Sequence, residues 1–144
     1  MTPITQHFCL EEFTKSATAK ARGIRNEPTQ QAIVNITALC VAVLEPLRVW
    51  YGSEIKISSG FRCVELNKAV GGVWNSQHLI GQAADLCIDG DKTKGLKWFE
   101  YIRRNLIFDQ LIFEHNSKGT YWLHVSYNSQ GRNRRKAIDN LLKS

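Results

Sequence analysis

The chain has 144 residues, 43% hydrophobic and 22% charged, proportions that exclude a disordered or fibrous protein. That length suits one domain able to bury a substantial core. The net charge of +6 would attract a polyanion, yet no nucleic-acid recognition motif accompanies it, so no nucleic-acid partner is expected.

No apolar run approaches a membrane span; the longest, Ala38 to Leu44, continues into Glu45 and Pro46. Residues 1–6 lack a basic region followed by an apolar stretch, so cytoplasmic synthesis without a signal peptide is expected. The four cysteines (Cys9, Cys40, Cys63, Cys87) form no closely spaced pair, which speaks for buried free thiols and against a cysteine zinc site.

Residues 8–21 place Phe8, Leu10, Phe13 and Ala17 at helical spacing, which predicts a short helix ended near Gly23. A turn around Pro28 leads into a second helix over 31–51, with Ile33, Ile36, Leu39, Cys40, Val43, Leu44 and Leu47 at a period near 3.6. Pro46 should kink that helix or end and restart it, and Gly52 should stop it. Residues 54–58 alternate as a strand. Residues 63–70 read as a helix broken by Gly71-Gly72, 74–77 as loop, and 83–88 as a second strand.

Thr93 is the expected cap of a helix running to about Arg104. Residues 108–114 and 121–127 form two strands of a hairpin with a long turn. Residues 134–142 are expected to return as a short helix. Helices followed by a mostly antiparallel sheet define an α+β fold.

The chemistry concentrates in residues 58–85. His78 and Asp85, seven residues apart, suit a loop histidine followed by a strand aspartate. His124, from the far strand of the hairpin, completes a set of three ligands. Zinc favours such nitrogen and oxygen donors, and a catalytic zinc keeps three protein ligands and an open position. Alternation puts Trp122, His124 and Ser126 on one strand face and Gln110, Ile112 and Glu114 on one face of its partner. If those faces coincide, Glu114 stands near His124 as general base, with Asp109 as its rival. Arg62 is expected to hold a substrate carboxylate or carbonyl oxygen. Ser76, Trp74 and Trp122 are candidate substrate contacts. Ser126 is either a support for the site or a solvent-facing residue, and His7 and His115 are expected to be exposed.

The run Ser76-x-His78-x-x-Gly81-x-Ala83-x-Asp85 resembles the S-x-H-x-x-G-x-A-x-D signature of the zinc D-alanyl-D-alanine carboxypeptidases and dipeptidases, which share a fold with the hedgehog signalling domain. The likeness covers roughly residues 54–127, and is nearest to compact phage and prophage cell-wall enzymes. It implies Zn2+ held by His78, Asp85 and His124, with Arg62, in an S-G-F-R segment, assisting the substrate or transition state. Many relatives carry H-x-H at the last ligand. Here Trp122 replaces the first histidine, and Tyr121 stands where some relatives place an acid.

The resemblance implies one peptidase domain over 1–144, with N-terminal helices (8–52), a catalytic core (54–127) and a basic C-terminal tail (128–144). The substrate class it implies is peptidoglycan and its stem peptides, cut at a terminal D-Ala-D-Ala or an internal L-Ala–D-Glu bond. The enzyme would be a monomer reaching the wall through a separate lysis or export system. The alternative is an inactive zinc-binding interaction domain of the same fold. The basic cluster Arg132 to Lys136, with Lys143 beyond it, is expected to be a solvated helix face or a contact to an anionic wall.

Overall fold

A computed structural model of the chain describes residues 1–142. The chain opens with a small antiparallel ribbon of β1 (Pro3–Thr5) and β2 (Phe8–Cys9). Two short helices follow, α1 (Glu11–Thr14) and α2 (Ala17–Arg22), where the apolar spacing predicted one. The break falls at Lys15 and Ser16, both extended; the Ser16 hydroxyl accepts a hydrogen bond from the Ala19 N–H and starts α2 afresh. Gly23, at φ 66°, closes it in the left-handed conformation that glycine adopts without strain.

The second helix is continuous from Gln30 to Tyr51. It consists of α3 (Gln30–Leu39), a π-helical turn (Cys40–Leu44) and α4 (Glu45–Tyr51). Pro46 therefore neither ends nor restarts it. Proline has no N–H and crowds the carbonyl four residues back, and the helix accommodates this by widening one turn earlier, where the Glu45 N–H reaches the Cys40 carbonyl. By length and composition this helix is apolar enough to cross a membrane. Ile36, Leu39, Cys40, Val43, Leu44 and Leu47 are instead buried in the protein's own core.

The sheet comprises β3 (Lys56–Ser59), β4 (Ala83–Cys87), β5 (Gln110–His115), β6 (Tyr121–Ser126) and β7 (Lys136–Asp139), ordered β3-β4-β6-β5-β7. All pairings are antiparallel except β5 with β7. The fold is thus mixed α+β around a mostly antiparallel sheet. The segment expected as a C-terminal helix forms β7 and a single 3-10 turn (Asn140–Leu142). The apolar spacing of Ile138 and Leu141 fits a helix, but β5 offers a free edge whose backbone groups β7 satisfies.

Period-two alternation sorts the sheet into two faces. Ala84, Leu86, Leu111, Phe113, Leu123 and Val125 join the buried core together with the long helix and α6 (Lys92–Asn105), which contributes Trp98, Phe99 and Ile102. Asp91 caps α6, accepting from the Lys94 N–H, so the cap lies two residues before the expected Thr93. The opposite face carries Asp85, Trp122, His124, Gln110, Ile112 and Glu114. Between β3 and β4 lie α5 (Val64–Ala69) and the 3-10 turn Gln77–Ile80, which carries His78.

Candidate metal centre

Strand register brings two of the three expected ligands side by side. Asp85 pairs directly with His124 across β4 and β6, and Ser59 pairs with Asp85 on the other side. His78 arrives from the 3-10 turn, whose position α3 fixes. Asn35 donates to the Ile80 carbonyl at 2.8 Å. Gly81, at φ 79°, passes so close that an added Cβ would lie 2.5 Å from the Ala32 carbonyl oxygen. The Ser76 hydroxyl accepts from the His78 N–H and caps this turn.

The donor atoms converge. One ligand atom from each of His78, Asp85 and His124 lies within 4.8 Å of the others. His78 Nε2 is 3.3 Å and His124 Nδ1 3.1 Å from the same Asp85 oxygen, Oδ1. His78 Nδ1 lies 2.6 Å from the Gly60 carbonyl. A carbonyl can only accept, so Nδ1 carries the proton, and in the neutral ring Nε2 turns a lone pair toward Asp85. A lone pair facing a carboxylate oxygen calls for a cation between them. A carbonyl that fixes the outer nitrogen of a metal-binding histidine is the usual supporting arrangement. The set therefore fits zinc, two nitrogens and one oxygen with room for a further ligand.

Burial by itself would raise the Asp85 carboxyl; the two imidazoles facing it, which donate to it when protonated and free of metal, outweigh burial and hold the group well below the ordinary carboxylate range. Arg62 grips the second oxygen, Oδ2, through Nη2 at 3.4 Å. Its Nε donates to Ser59 and its Nη1 to Asn67, both at 3.1 Å. Burial pulls this guanidinium down and the Asp85 charge opposes the shift. With its side chain only 15% exposed, Arg62 is built into the site as a brace for Asp85.

The site is supported from behind by residues outside its signature. Asn67 is buried, holds Arg62, and donates to the Val73 carbonyl at 2.8 Å. Asn26 donates to the carbonyls of Thr14 and Phe61 and accepts from the Cys63 N–H, tying the Arg62 segment to the N-terminal helices. Nothing in the sequence marks Asn26. Gly60 is squeezed against α1: an added Cβ would lie 2.6 Å from the Phe13 carbonyl oxygen and 2.7 Å from its Cα. Gly60→Ala is expected to lose about 1–3 kcal/mol of stability, read as a lower denaturant midpoint, because two backbones must part. Zinc affinity should fall about 10–100-fold in the same protein, since the carbonyl orienting His78 moves.

A groove of about 530 Å³ opens beside His124. Gln110, Ile112 and Glu114 of β5 form one wall, Ser76 and Gln77 lie on the loop side, and Arg134 also lines it. The two hairpin faces coincide as alternation suggested. Ile112 stands opposite His124, and Glu114, opposite Trp122, is one diagonal step away, a distance long side chains cover. Glu114 accepts from Asn140 Nδ2 at 2.8 Å.

Asp109, the rival base, is fully engaged. Its oxygens accept from the Arg134 backbone N–H, Nε and Nη2 and from Gln77 Nε2, all within 3.0 Å. The Arg134 hydrogen bonds keep its carboxyl below the usual range against the opposing effect of burial.

Of the remaining expected site residues, Trp74 is 87% exposed and does not line the groove, although Val73 and Asn75 do. Trp122 is half-buried on the His124 face. Ser126 is buried and accepts from the Gln110 N–H, so it supports the groove wall and does not face solvent. His115 is exposed, but His7 is partly buried and hydrogen-bonded to Glu45. The four cysteines are free; Cys40 is buried, and the other three are half-buried. The basic cluster does not form one surface. Arg134 turns to Asp109 and Arg135 donates to the Arg103 carbonyl; Lys143 lies outside the described residues.

A buried His-Asp-His cluster beside an open groove is the arrangement of a metal-dependent hydrolase. The family model described as Peptidase M15 matches residues 6–126, which includes every residue of the cluster. The chain belongs to that family, the zinc D-Ala-D-Ala carboxypeptidase family, whose members are zinc metallopeptidases. No curated protein matches it.

Proposed function

We propose that this protein is a zinc metallopeptidase that hydrolyses peptide bonds in peptidoglycan stem peptides, with residues 1–144 acting as one peptidase domain. We read its α+β arrangement as the hedgehog/DD-peptidase type, with the N-terminal helices packed beside the sheet. The observation that carries the reading is the convergence of His78 Nε2 and His124 Nδ1 on one Asp85 oxygen at the mouth of a groove. His78, Asp85 and His124 would hold Zn2+, which supplies Lewis acidity toward a carbonyl and a water molecule. The chain's own groups do the rest.

Glu114, on the groove wall, takes a proton from the attacking water and passes it to the departing amine. Arg62 keeps Asp85 oriented and ionised and leaves two N–H groups for a developing oxyanion. Ser76, Trp122 and the loop bearing Trp74 border the peptide. The protein works as a monomer, as a cell-wall enzyme of the phage or prophage type delivered by a separate lysis or export system. Arg132 and Lys136, both exposed, remain available to an anionic wall.

The test is digestion of purified peptidoglycan by the zinc-loaded protein, with products identified by mass spectrometry. Release of D-Ala, or new D-Glu amino ends, is expected; a chelator should abolish either product and added zinc restore it. Zinc bound stoichiometrically without any product would overturn the peptidase reading in favour of an inactive binding domain.

A further inference from the structure

Arg134 combines two properties that Arg62 does not. Its Nε and Nη2 are both spent on Asp109, at 2.9 Å each, and its backbone N–H is held by the same carboxylate. That carboxylate is buried, with a side chain only 5% exposed, and a fourth hydrogen bond from Gln77 secures it. The guanidinium is therefore locked in orientation. Yet the Arg134 side chain is 53% exposed and lines the same groove as His124 and Glu114. Among the described residues no partner meets its Nη1. A rigid, half-desolvated guanidinium edge facing a peptide groove is a receptor for a carboxylate.

Arg134 and His124 line one groove, so a peptide seated there runs past both. The two candidate bonds each place a free carboxylate on the residue that supplies the leaving amine. The terminal D-Ala of a D-Ala-D-Ala bond carries a free α-carboxylate, and so does a γ-linked D-Glu after L-Ala.

We propose that Arg134, oriented by Asp109, binds the free α-carboxylate of the residue supplying the leaving amine. The protein would then select peptides whose leaving residue is anionic. This rests on the peptidase reading above, with Asp109 as a positioning residue and Gln77 linking the receptor to the His78 turn.

The test uses two matched pairs of peptides: N-acetyl-L-Lys-D-Ala-D-Ala and its C-terminal amide, and L-Ala-γ-D-Glu-L-Lys with a free or an amidated D-Glu α-carboxyl. The wild-type kcat/KM should favour the acid over the amide about 10–100-fold in whichever pair is cleaved, the ordinary worth of a charge-assisted hydrogen bond. That preference should collapse toward unity in Arg134→Gln and recover partly in Arg134→Lys. Removing one partner strands a buried charge, so Arg134→Gln/Asp109→Asn serves as the folded control and should show the same collapse. An acid preference that survives in the double variant would overturn the proposal, as would a wild type indifferent to amidation. Calorimetric titration of the zinc-free protein with the same peptides separates the two readings. Tighter binding of the acid, lost in the variants, upholds the receptor even if no bond is cut; equal binding of acid and amide refutes it whatever the turnover.

Discussion

Asp85→Asn is expected to fold and to lose zinc affinity by more than the roughly 10–100-fold that follows loss of an outer partner of a metal ligand. The amide keeps the shape of the carboxylate, so strand pairing with Ser59 and His124 is preserved. What changes is charge. Asp85 is the only anion among the three converging groups, and both imidazole nitrogens lie within 3.3 Å of its Oδ1. Without that charge the cluster offers a dication two neutral nitrogens and a weak amide oxygen, with Arg62 still beside it. Zinc content after dialysis and turnover should fall together. Near-normal zinc retention would show that the ion sits elsewhere.

Glu114→Gln should behave in the opposite way, binding zinc as the parent does and losing about 10²–10⁴ in turnover. The amine leaves poorly without a proton, and an amide side chain carries none to give. The hydrogen bond from Asn140 can persist, because the substituted side chain retains a carbonyl oxygen to accept it. Measuring zinc stoichiometry beside kcat separates this variant from Asp85→Asn. Turnover within a few-fold of the parent would remove Glu114 from the mechanism. Asp109 is no ready substitute, since four hydrogen bonds already occupy its oxygens.

The His-Asp-His cluster and the strand faces were legible because each rests on local order: a short signature around His78 and Asp85, and alternation along two strands joined by one turn. The place of Glu114 on the groove wall followed from parity alone. What escaped were contacts between distant segments. Arg134 counted as one charge in a basic run, and nothing in that run announces a buried aspartate 25 residues away. The S-G-F-R segment marks Arg62 as a hand for the substrate, but no local pattern shows that Asn67 and Ser59 also turn it onto Asp85. The N-terminal helix was misjudged for a different reason. Residues 8–21 carry an apolar period across Lys15 and Ser16, and a capping serine interrupts a helix without disturbing that period.

The parallel strand β7 has a practical consequence. The family match ends at residue 126, ten residues before β7 begins. A chain cut at that boundary would leave β5 as an outer strand, with Leu111, Ile112 and Phe113 on an unguarded edge able to recruit a second molecule. The same cut removes Arg134 from Asp109 and Asn140 from Glu114. A protein trimmed to its recognisable domain would thus be prone to self-association while keeping all three candidate metal ligands.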